Sequence, residues 1–438
     1  MTARNRELLG LVPVTLLVTA GFTAVYMARQ SDLGSTTLTW GAIFLALCLA
    51  VHLFIRMTLP DADPYLFPLV ALLAAFGLVM IYRIDESLAR QQAGWFVIGI
   101  ALFVATVLGI RDVRALERYR YVIAAAGIGL LVLPRLPGIG AQVNGAYLGV
   151  KVGPVSFQPT ELAKLCIVVF LASYLAERGE AMVVGARRVL GLTVPPLKHF
   201  GPLLVVWGAA MLMLVVIRDL GSSLMFFAAF LAVLYVATGR LSFVLAGMGM
   251  FVAGAWFFAH NVSHVQERID IWLDPWRDPN SSGFQIVQSL FSQADGGLFG
   301  RGFGQALLNL PGGAQIPPAP DTDLIYAVIT NEVGLFGAAA LVLTYMLFAE
   351  RGFRVAVLAD DSFLKLLATG LTAVFAFQAF VIVGGVTRVI PLTGVTLPFV
   401  SYGGSSIVAN FVLLALLLMI SQEAREARGL PSSAVVTA

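Results

Sequence analysis

Long apolar runs are the feature of this sequence that most restricts its possible folds. A helix needs about 20 apolar residues to cross a bilayer. Backbone inside a bilayer must satisfy its own hydrogen bonds, so such runs form helices rather than open sheets. The candidate spans lie near residues 9–28, 38–58, 65–82, 94–110, 120–134, 161–177, 200–217, 221–238, 241–260, 324–348, 363–386 and 405–420. The sequence therefore predicts an all-α polytopic membrane protein with about 12 transmembrane helices.

Composition excludes the main alternative classes. Charged residues make up 12% of the 438 residues, against about 25% in a typical soluble domain. The net charge of +3 gives no basis for nucleic-acid binding. Cys48 and Cys166 both lie in apolar runs, and the four histidines are scattered. We therefore expect neither a disulfide framework nor a cysteine or histidine metal site.

The distribution of basic residues predicts the topology. A cytoplasmic N-terminus puts most Lys and Arg side chains on the cytoplasmic side, as the positive-inside rule requires. Both termini are then cytoplasmic, and residues 425–438 form a disordered tail. The one long connection, residues 261–322, falls on the outer face. Long loops in compact folds are usually functional, so we expect part of the active machinery there.

An ionisable pair sits at the start of the sixth span. Pro159 and Thr160 are typical of a helix start, with Thr160 a candidate N-cap. Glu161 and Lys164 follow and, being three residues apart, share one helix face. They are either a self-neutralising pair that holds the bundle together or a substrate site in which Lys164 meets a phosphate.

A second charged pair, Arg218 and Asp219, separates two apolar runs on the predicted outer side. It has two interpretations. One is a tight turn with a local ion pair. The other is a re-entrant break that lines a cavity and binds substrate.

The 261–322 loop carries many polar candidates. Its glycine-rich stretch, 296–304, offers backbone amides that can cradle phosphates, although such stretches are more often plain loops. Gln285 is a candidate substrate-binding side chain in the same loop. Three acids, Asp270, Asp274 and Asp278, have no spacing that demands a cation.

Two carboxylates close the loop. Asp323 begins the tenth span, where an acid is stabilised by the helix dipole, but a carboxylate at the membrane surface is also suited to act as a general base toward a sugar hydroxyl. Asp321 and Asp323 together match a loose metal pattern. Glu332 lies on the opposite face of the same helix, so it forms no simple acid–base dyad with Asp323.

The segment 391–406 is dense in proline, glycine and hydroxyl residues. Such a composition beside an apolar helix predicts non-helical backbone at membrane depth, where it must be buried or line a water-filled cavity. Ser405 is the candidate substrate-binding residue of this segment.

In this order the stretches resemble one family, the shape, elongation, division and sporulation (SEDS) proteins, over about Gly77 to Ala424. The similarity rests on Gly77-Leu-Val-Met-Ile, Gln92-Ala-Gly-Trp95, Asn144-Gly-Ala through Lys164, Asp219-Leu-Gly-Ser and Pro391 to Ser406. The 384–391 stretch and the Arg218-Asp219 form are more similar to the RodA branch than to the FtsW branch.

This resemblance implies a function. SEDS proteins are peptidoglycan glycosyltransferases that polymerise lipid II on the outer face of the bacterial cytoplasmic (inner) membrane, keep the glycan on an undecaprenyl diphosphate, and work with class B penicillin-binding proteins. The essential aspartate of the family falls on Asp323. Lys164 and Arg218 are candidates for stabilising the departing diphosphate. A divalent cation, Mg²⁺ or Mn²⁺, is a candidate cofactor, with Asp321 and Asp323 as ligands.

The chain departs from the family pattern at three places. Asp321 replaces the family histidine before Thr-Asp, Arg218 replaces a proline, and the stretch at Tyr147 lacks a usual tryptophan. The family core has ten spans, so residues 1–60 are predicted to add two N-terminal helices to a membrane domain at 61–424.

Two other functions remain compatible with the residues: a lipid II flippase or other transporter, and a non-enzymatic scaffold of an elongation or division complex. A transporter places its key charges near the membrane midplane, whereas Asp323 falls at the outer boundary.

Overall fold

The computed structural model describes residues 2–28, 35–137, 140–143, 146–152, 155–184, 187–189, 192–194, 219–308 and 316–429, with isolated helical residues at 201, 204, 208 and 211. The predicted span at 200–217 therefore lies almost entirely outside the described residues. So do Arg218 and the last nine residues of the predicted tail, 430–438.

Helices dominate the described chain. In chain order, with our numbering, they are α1 Ala3–Ala28, α2 Ser35–Thr58, α3 Leu66–Ile84, α4 Glu86–Gly109, α5 Ala115–Arg118, α6 Arg120–Val132, α7 Thr160–Val184, α8 Leu220–Thr238, α9 Leu241–Asn261, α10 Ser263–Leu273, α11 Phe284–Gly296, α12 Ile325–Leu358, α13 Ser362–Val386 and α14 Gly404–Ala427. Short 3₁₀ turns occur at Leu133–Arg135 and Pro275–Arg277.

In the described part of the chain, nine of these helices are long and apolar enough to cross a membrane. They are α1, α3, α4, α8, α9, α12, α13, α14 and, within α2, Gly41–Thr58. The predicted fifth and sixth spans are also helical, as α6 and α7. The prediction of an all-α polytopic membrane protein is confirmed.

The chain divides into two compact units. The first contains Met1–Val107, Glu267–Arg351 and Gln378–Ala438, and the second contains Leu108–Gln266 and Gly352–Phe377.

The core of the first unit is apolar and closely packed. Helix α14 is its most deeply buried long helix, because its sequence is hydrophobic all round. Helix α1 packs on α3, where Gly21 lets its backbone approach the Val79 side chain. The Phe411 ring of α14 meets the Phe96 and Phe399 rings edge-on, at centroid distances of 6.1 and 5.3 Å.

In the second unit α7 packs against α6 and α8. Gly127 allows a close approach to Cys166 of α7, and Gly370 faces Val168 and Val233. This unit also carries two small antiparallel sheets: β1 Gly140–Val143, β2 Ala146–Val152 and β3 Val155–Phe157 in the first, and β4 Arg187–Val189 and β5 Leu192–Val194 in the second.

The structure adds detail that hydropathy did not predict. The strands of the two sheets are three to seven residues long, which is too short to span a bilayer. The 261–322 loop is not irregular throughout, because α10 and α11 form within it. Helix α11 forms there as an amphipathic helix in which Ile286, Val287 and Ser289 are buried.

Candidate active site

Asp323 is held in a turn directly before α12. The backbone N–H groups of Thr322 and Leu324 donate to the Ala319 carbonyl at 3.3 and 3.2 Å. The residues that follow, Leu324 to Ile329, are buried. The residue as a whole is partly exposed, and it lies directly before a buried helical turn. A group in that position has a fixed geometry and access to solvent, both of which a general base requires.

Two other segments of the first unit reach the Asp323 carboxylate. Gly394 has a positive φ of 74°, and a Cβ atom placed on it would lie 3.6 Å from Asp323 Oδ2 and 4.0 Å from Arg268 Nη2. Arg268 is also fixed from its other side, because its Nη1 donates to the Leu392 carbonyl at 2.9 Å. Asp323, Arg268 and Gly394 therefore converge from the turn before α12, from α10 and from the 391–403 segment.

The surroundings of Asp323 raise its pKa toward neutral pH. Burial raises the pKa of Asp323 to about 6, the positive charge of Arg268 lowers it, and the negative charge of Asp321 raises it. A carboxylate with this pKa is mostly ionised at pH 7 and still basic enough to accept a proton, which is the range expected of a general base.

The segment between α13 and α14 is non-helical, as the sequence predicted. Its backbone is held by side-chain hydrogen bonds. Ser401 Oγ accepts from Leu397 N–H at 2.9 Å and donates to the Thr322 carbonyl at 2.8 Å. The Tyr402 N–H donates to the Asp321 carbonyl at 2.8 Å. These bonds join the segment to the turn that carries Asp323.

Helices of the first unit support the same segment from behind. Tyr345 Oη donates to the Pro398 carbonyl at 2.7 Å, and Gln378 Nε2 donates to the Thr396 carbonyl at 2.8 Å. Gln92 Nε2 donates to the Ser401 carbonyl at 3.1 Å. The irregular backbone thus satisfies its polar groups within protein, which is the condition for such backbone at membrane depth.

Hydrogen bonds of Arg388 join α10 to the segment between α13 and α14. Its Nε donates to the Trp272 carbonyl at 2.7 Å, its Nη2 donates to the Leu273 carbonyl, and Trp272 Nε1 donates back to the Arg388 carbonyl at 3.1 Å. Because Arg268 lies on the same helix, this clamp fixes the guanidinium that faces Asp323.

Asp321 is the second carboxylate of the predicted pair. Burial raises its pKa, and the charge of Asp85 raises it further. Among the described residues no group of three or more His, Cys, Asp or Glu side chains could hold a metal ion. Asp321 and Asp323 alone suit only a Mg²⁺ ion shared with substrate phosphates, and Arg268 already neutralises part of their charge. The divalent cation stays a prediction.

Glu332 lies in a different environment, where α12 is interrupted. The helix breaks at Gly334, which has φ 69°. The glycine-rich 296–304 stretch fills the break, because the Arg301 and Gly302 N–H groups donate to the Asn331 and Glu332 carbonyls, each at 2.9 Å. The Glu332 carboxylate is 1% exposed and pairs with Arg83 Nε at 3.0 Å.

These contacts give the glycine-rich 296–304 stretch a structural role. Arg83 Nη2 also donates to the Ala306 carbonyl at 2.9 Å, so one ion pair holds both the helix break and the loop end. At Gly300 a Cβ atom would lie 2.2 Å from the Glu332 carbonyl oxygen, which leaves room only for glycine. Glu332 remains a predicted substrate-binding residue, but its described contacts are those of a buried structural acid.

The predicted charged pair at the start of α7 lies in the second unit. Lys164 Nζ contacts Glu161 Oε2 at 2.7 Å, and both side chains are about 2–3% exposed. Asp219 is close enough for both charges to act on its pKa, which burial raises most strongly. The Asp219 side chain caps α8 by accepting from Ser222 N at 2.9 Å and Ser222 Oγ at 2.7 Å.

Thr160 is not the N-cap that the sequence suggested. Helix α7 begins at Thr160 itself, and its Oγ1 is buried without a hydrogen-bond partner among the described atoms. Of the other predicted residues, Gln285 is exposed on α11 and Ser405 is buried in the first turn of α14. Arg218 lies outside the described residues.

Sequence reasoning did not select Arg268. Its helix was taken as loop, and no spacing links it to Asp323. The available signal was weak: an arginine in an amphipathic stretch of the 261–322 loop, close in sequence to Trp272.

Known proteins are similar to this chain over most of its length. Residues 64–426 match the family model of FtsW, RodA and SpoVE, described as cell cycle protein. A peptidoglycan glycosyltransferase RodA of Mycobacterium bovis is 40% identical over 435 residues, covering 97% of this chain and 92% of that protein. The stage V sporulation protein E of Bacillus subtilis is 33% identical and covers 84% of this chain and 99% of that protein.

Solved structures agree with the fold. A chain from a study of how a peptidoglycan synthase complex coordinates polymerization and crosslinking has a TM-score of 0.68 and 27% identity, covering 83% of this chain and 98% of that chain. The rod shape determining protein RodA of Thermus thermophilus has a TM-score of 0.59 and 25% identity, covering 83% of this chain and 97% of that chain.

Proposed function

The chain belongs to the FtsW, RodA and SpoVE family of cell cycle proteins, and on that premise we propose that it polymerises lipid II with Asp323 as its general base. It is a multi-pass membrane protein and a peptidoglycan glycosyltransferase. The substrate, the residue roles, the location in the inner membrane with cytoplasmic termini, and a class B penicillin-binding protein as partner are parts of the proposal.

The observation that carries the mechanism is the convergence of Arg268 and Gly394 on the Asp323 carboxylate. In the proposed step Asp323 accepts the proton of the acceptor sugar's 4-hydroxyl as that oxygen attacks the donor's anomeric carbon. The bond from this carbon to the lipid diphosphate breaks, and the configuration inverts. Gly394 leaves space beside the carboxylate, and a side chain there would stand between Asp323 and the hydroxyl.

Charge develops on the leaving diphosphate and must be stabilised. Arg268 is the cation nearest to the base among the contacts described above, and it is held by the Leu392 carbonyl. Lys164 and Arg218 remain candidates for the same task from the sequence. Ser405, Gln285, Glu161 and Asp219 remain candidate substrate-binding residues.

Glycan synthesis by the purified full chain tests the proposal. Lipid II is supplied in detergent or vesicles with and without a class B penicillin-binding protein, and glycan length is scored on gels. We expect Asp323→Asn to lower the rate by about 10²–10⁴-fold, the usual contribution of a general base. Asp270→Asn, an exposed acid of the same loop, is the matched control and should retain activity.

Undiminished polymerisation by Asp323→Asn would remove Asp323 from the mechanism. The two alternatives left by the sequence, a flippase and a scaffold, give no glycan with either the wild-type chain or the control.

A further inference from the structure

The non-helical segment between α13 and α14 holds both charged members of the candidate active site. Near its start the Leu392 carbonyl accepts from Arg268 Nη1 at 2.9 Å. Near its end the Ser401 hydroxyl donates to the Thr322 carbonyl at 2.8 Å. Thr322 directly precedes Asp323 in the chain. The segment is therefore a frame that sets how far the guanidinium lies from the carboxylate.

Ser401 makes hydrogen bonds in two directions. Its Oγ accepts from the Leu397 N–H at 2.9 Å while it donates to Thr322. The Ser401 N–H also donates to the Leu397 carbonyl at 3.0 Å, so residues 397–401 form a closed turn. Ser401 is 2% exposed, and a bulk water cannot replace a bond that is lost there. Removal of the hydroxyl therefore leaves the Leu397 N–H without that partner and frees the turn before α12 from its side-chain tether.

Gln92 of α4 holds Ser401 from behind. Its Nε2 donates to the Ser401 carbonyl at 3.1 Å, and its Oε1 accepts from the Gly403 N–H at 3.3 Å. One amide thus binds the backbone on both sides of Tyr402, whose own N–H donates to the Asp321 carbonyl at 2.8 Å. Gln92 is 0% exposed, and a buried amide that is bonded at both its donor and its acceptor end has a fixed orientation.

Close packing prevents the segment from shifting freely. A Cβ atom on Gly404, the first residue of α14, would overlap the Trp95 ring of α4. A Cβ atom on Gly77 of α3 would lie 2.6 Å from the Phe399 carbonyl oxygen. Both helices therefore lie directly against the backbone of the segment or its exit. Protein interiors packed at this density transmit a displacement rather than absorb it.

We propose that Ser401 and Gln92 are positioning residues that hold Asp323 at a fixed distance from Arg268 through the segment between α13 and α14. The inference rests on the proposed function, in which Asp323 is the general base. Both side chains are buried behind the segment and act through its backbone. A misplacement of about 1 Å can cost about 10²-fold in rate. A positioning role affects kcat rather than KM, because the contacts that bind the substrate stay in place.

Glycan synthesis by the purified full chain tests the role with matched pairs of variants. Ser401→Ala and Gln92→Met remove the tether, and Ser421→Ala and Gln422→Met are their controls. The control side chains are also buried, and they accept backbone N–H bonds of the 61–63 stretch at 2.9 and 2.7 Å, at the far end of α14. We expect kcat to fall by about 10–10²-fold in the tether variants with KM for lipid II unchanged, and to be retained in the controls.

Hydrogen–deuterium exchange measures the tether without any substrate. The Thr322 and Leu324 N–H groups close the turn before α12 by donating to the Ala319 carbonyl. Loss of a hydrogen bond of ordinary strength opens such a turn about tenfold more often. Peptides that cover 319–324 should therefore exchange about tenfold faster in the tether variants, while α1 and both control variants keep the wild-type rates.

A double variant shows whether the tether acts on the charge pair. If Ser401 fixes the distance from Arg268 to Asp323, the guanidinium is already displaced in Ser401→Ala. The fold-loss in kcat/KM caused by Arg268→Gln should then be smaller in Ser401→Ala than in the wild type. The same loss should keep its wild-type size in Ser421→Ala.

Any of four results would overturn the inference: a kcat in Ser401→Ala equal to that in Ser421→Ala, a loss confined to KM, unchanged exchange of the 319–324 turn, or a full additional loss from Arg268→Gln. If Ser401→Ala does not give a monodisperse protein, Gln92→Met and Gln422→Met decide by the same measurements. Faster exchange of the turn together with full activity of Asp323→Asn would refute the proposed function and leave the tether in place. Unchanged exchange with an inactive Asp323→Asn would refute the tether alone.

Discussion

The electrostatic coupling between Arg268 and Asp323 gives the sharpest quantitative expectation. One point next to Gly394 lies 3.6 Å from Asp323 Oδ2 and 4.0 Å from Arg268 Nη2. The two atoms can therefore be no further apart than the sum of these distances, about 7.6 Å. At that separation a unit charge pair is worth about 0.5 kcal/mol in water and about 2 kcal/mol at an effective dielectric constant of 20.

This energy converts directly into a pKa shift. One pKa unit corresponds to about 1.4 kcal/mol, so neutralising Arg268 should raise the pKa of Asp323 by about 0.4–1.6 units. The sign is fixed: the guanidinium favours the ionised carboxylate, so its removal favours the protonated form. The starting pKa is about 6, and the general base acts only when ionised.

The assay is the pH dependence of kcat/KM for glycan synthesis by Arg268→Gln. We expect the acidic limb, near pH 6 in the wild type, to move to about pH 6.4–7.6. At pH 7 the ionised fraction of the base then falls up to about fivefold, and this part of the loss of activity is regained as the pH is raised to about 8.5. Arg268→Lys keeps the charge and should keep the limb near its wild-type position.

Arg277→Gln is the matched control, because Arg277 is an exposed arginine of the same loop. An acidic limb that stays in place in Arg268→Gln, or that moves to lower pH, would refute the electrostatic reasoning. A loss of activity that persists at pH 8.5 would assign Arg268 a role beyond its charge effect on Asp323, either in stabilising the leaving diphosphate or in holding the 391–403 segment through Leu392.

Three further expectations concern Asp321, Arg83 and Gly394. Asp321→Asn removes a negative charge beside Asp323, so the acidic limb should move to lower pH in the same assay, and a shift to higher pH would contradict the assignment. Arg83→Gln leaves the Glu332 carboxylate buried without its cation, so thermal unfolding should show a loss of about 3–5 kcal/mol, less in the double variant with Glu332→Gln. Gly394→Val places a branched side chain at positive φ beside the base, so glycan synthesis should fall while Gly429→Val, at an exposed positive-φ glycine, retains activity.

Hydropathy and local motifs were sufficient for the fold class and for the candidate base. Spans could be located because the bilayer imposes length and apolarity on each helix independently of its neighbours. Asp323 could be selected because it lies at the boundary between a polar loop and a long apolar helix and because the family resemblance places the essential aspartate there. The non-helical backbone after α13 could also be predicted, because a high density of proline and glycine is a local property of the sequence.

The same reasoning failed where the outcome depends on residues distant in sequence. Glu332 could be placed on a helix face, but only the packed structure buries its carboxylate and pairs it with Arg83. Thr160 is a residue type that is common at N-caps and follows a proline. However, α7 begins at that residue, and its hydroxyl has no hydrogen-bond partner among the described atoms. Helix α11 forms inside a predicted loop because its apolar side chains Ile286 and Val287 are buried. Helix α10 is held there by hydrogen bonds from Arg268 and Trp272 to the Leu392 and Arg388 carbonyls.

The sequence by itself therefore determined that this chain is a bundle of membrane helices, and it indicated Asp323, one of two carboxylates at the start of the tenth span, as the candidate base. Tertiary structure decided the chemistry available to that carboxylate. Arg268, Asp321 and Gly394 come from separate segments, and the pKa of Asp323 depends on its burial and on charges that only folding brings near. Hydrophobic periodicity is encoded residue by residue, whereas an electrostatic environment is a sum over neighbours in space, which no single stretch of sequence specifies.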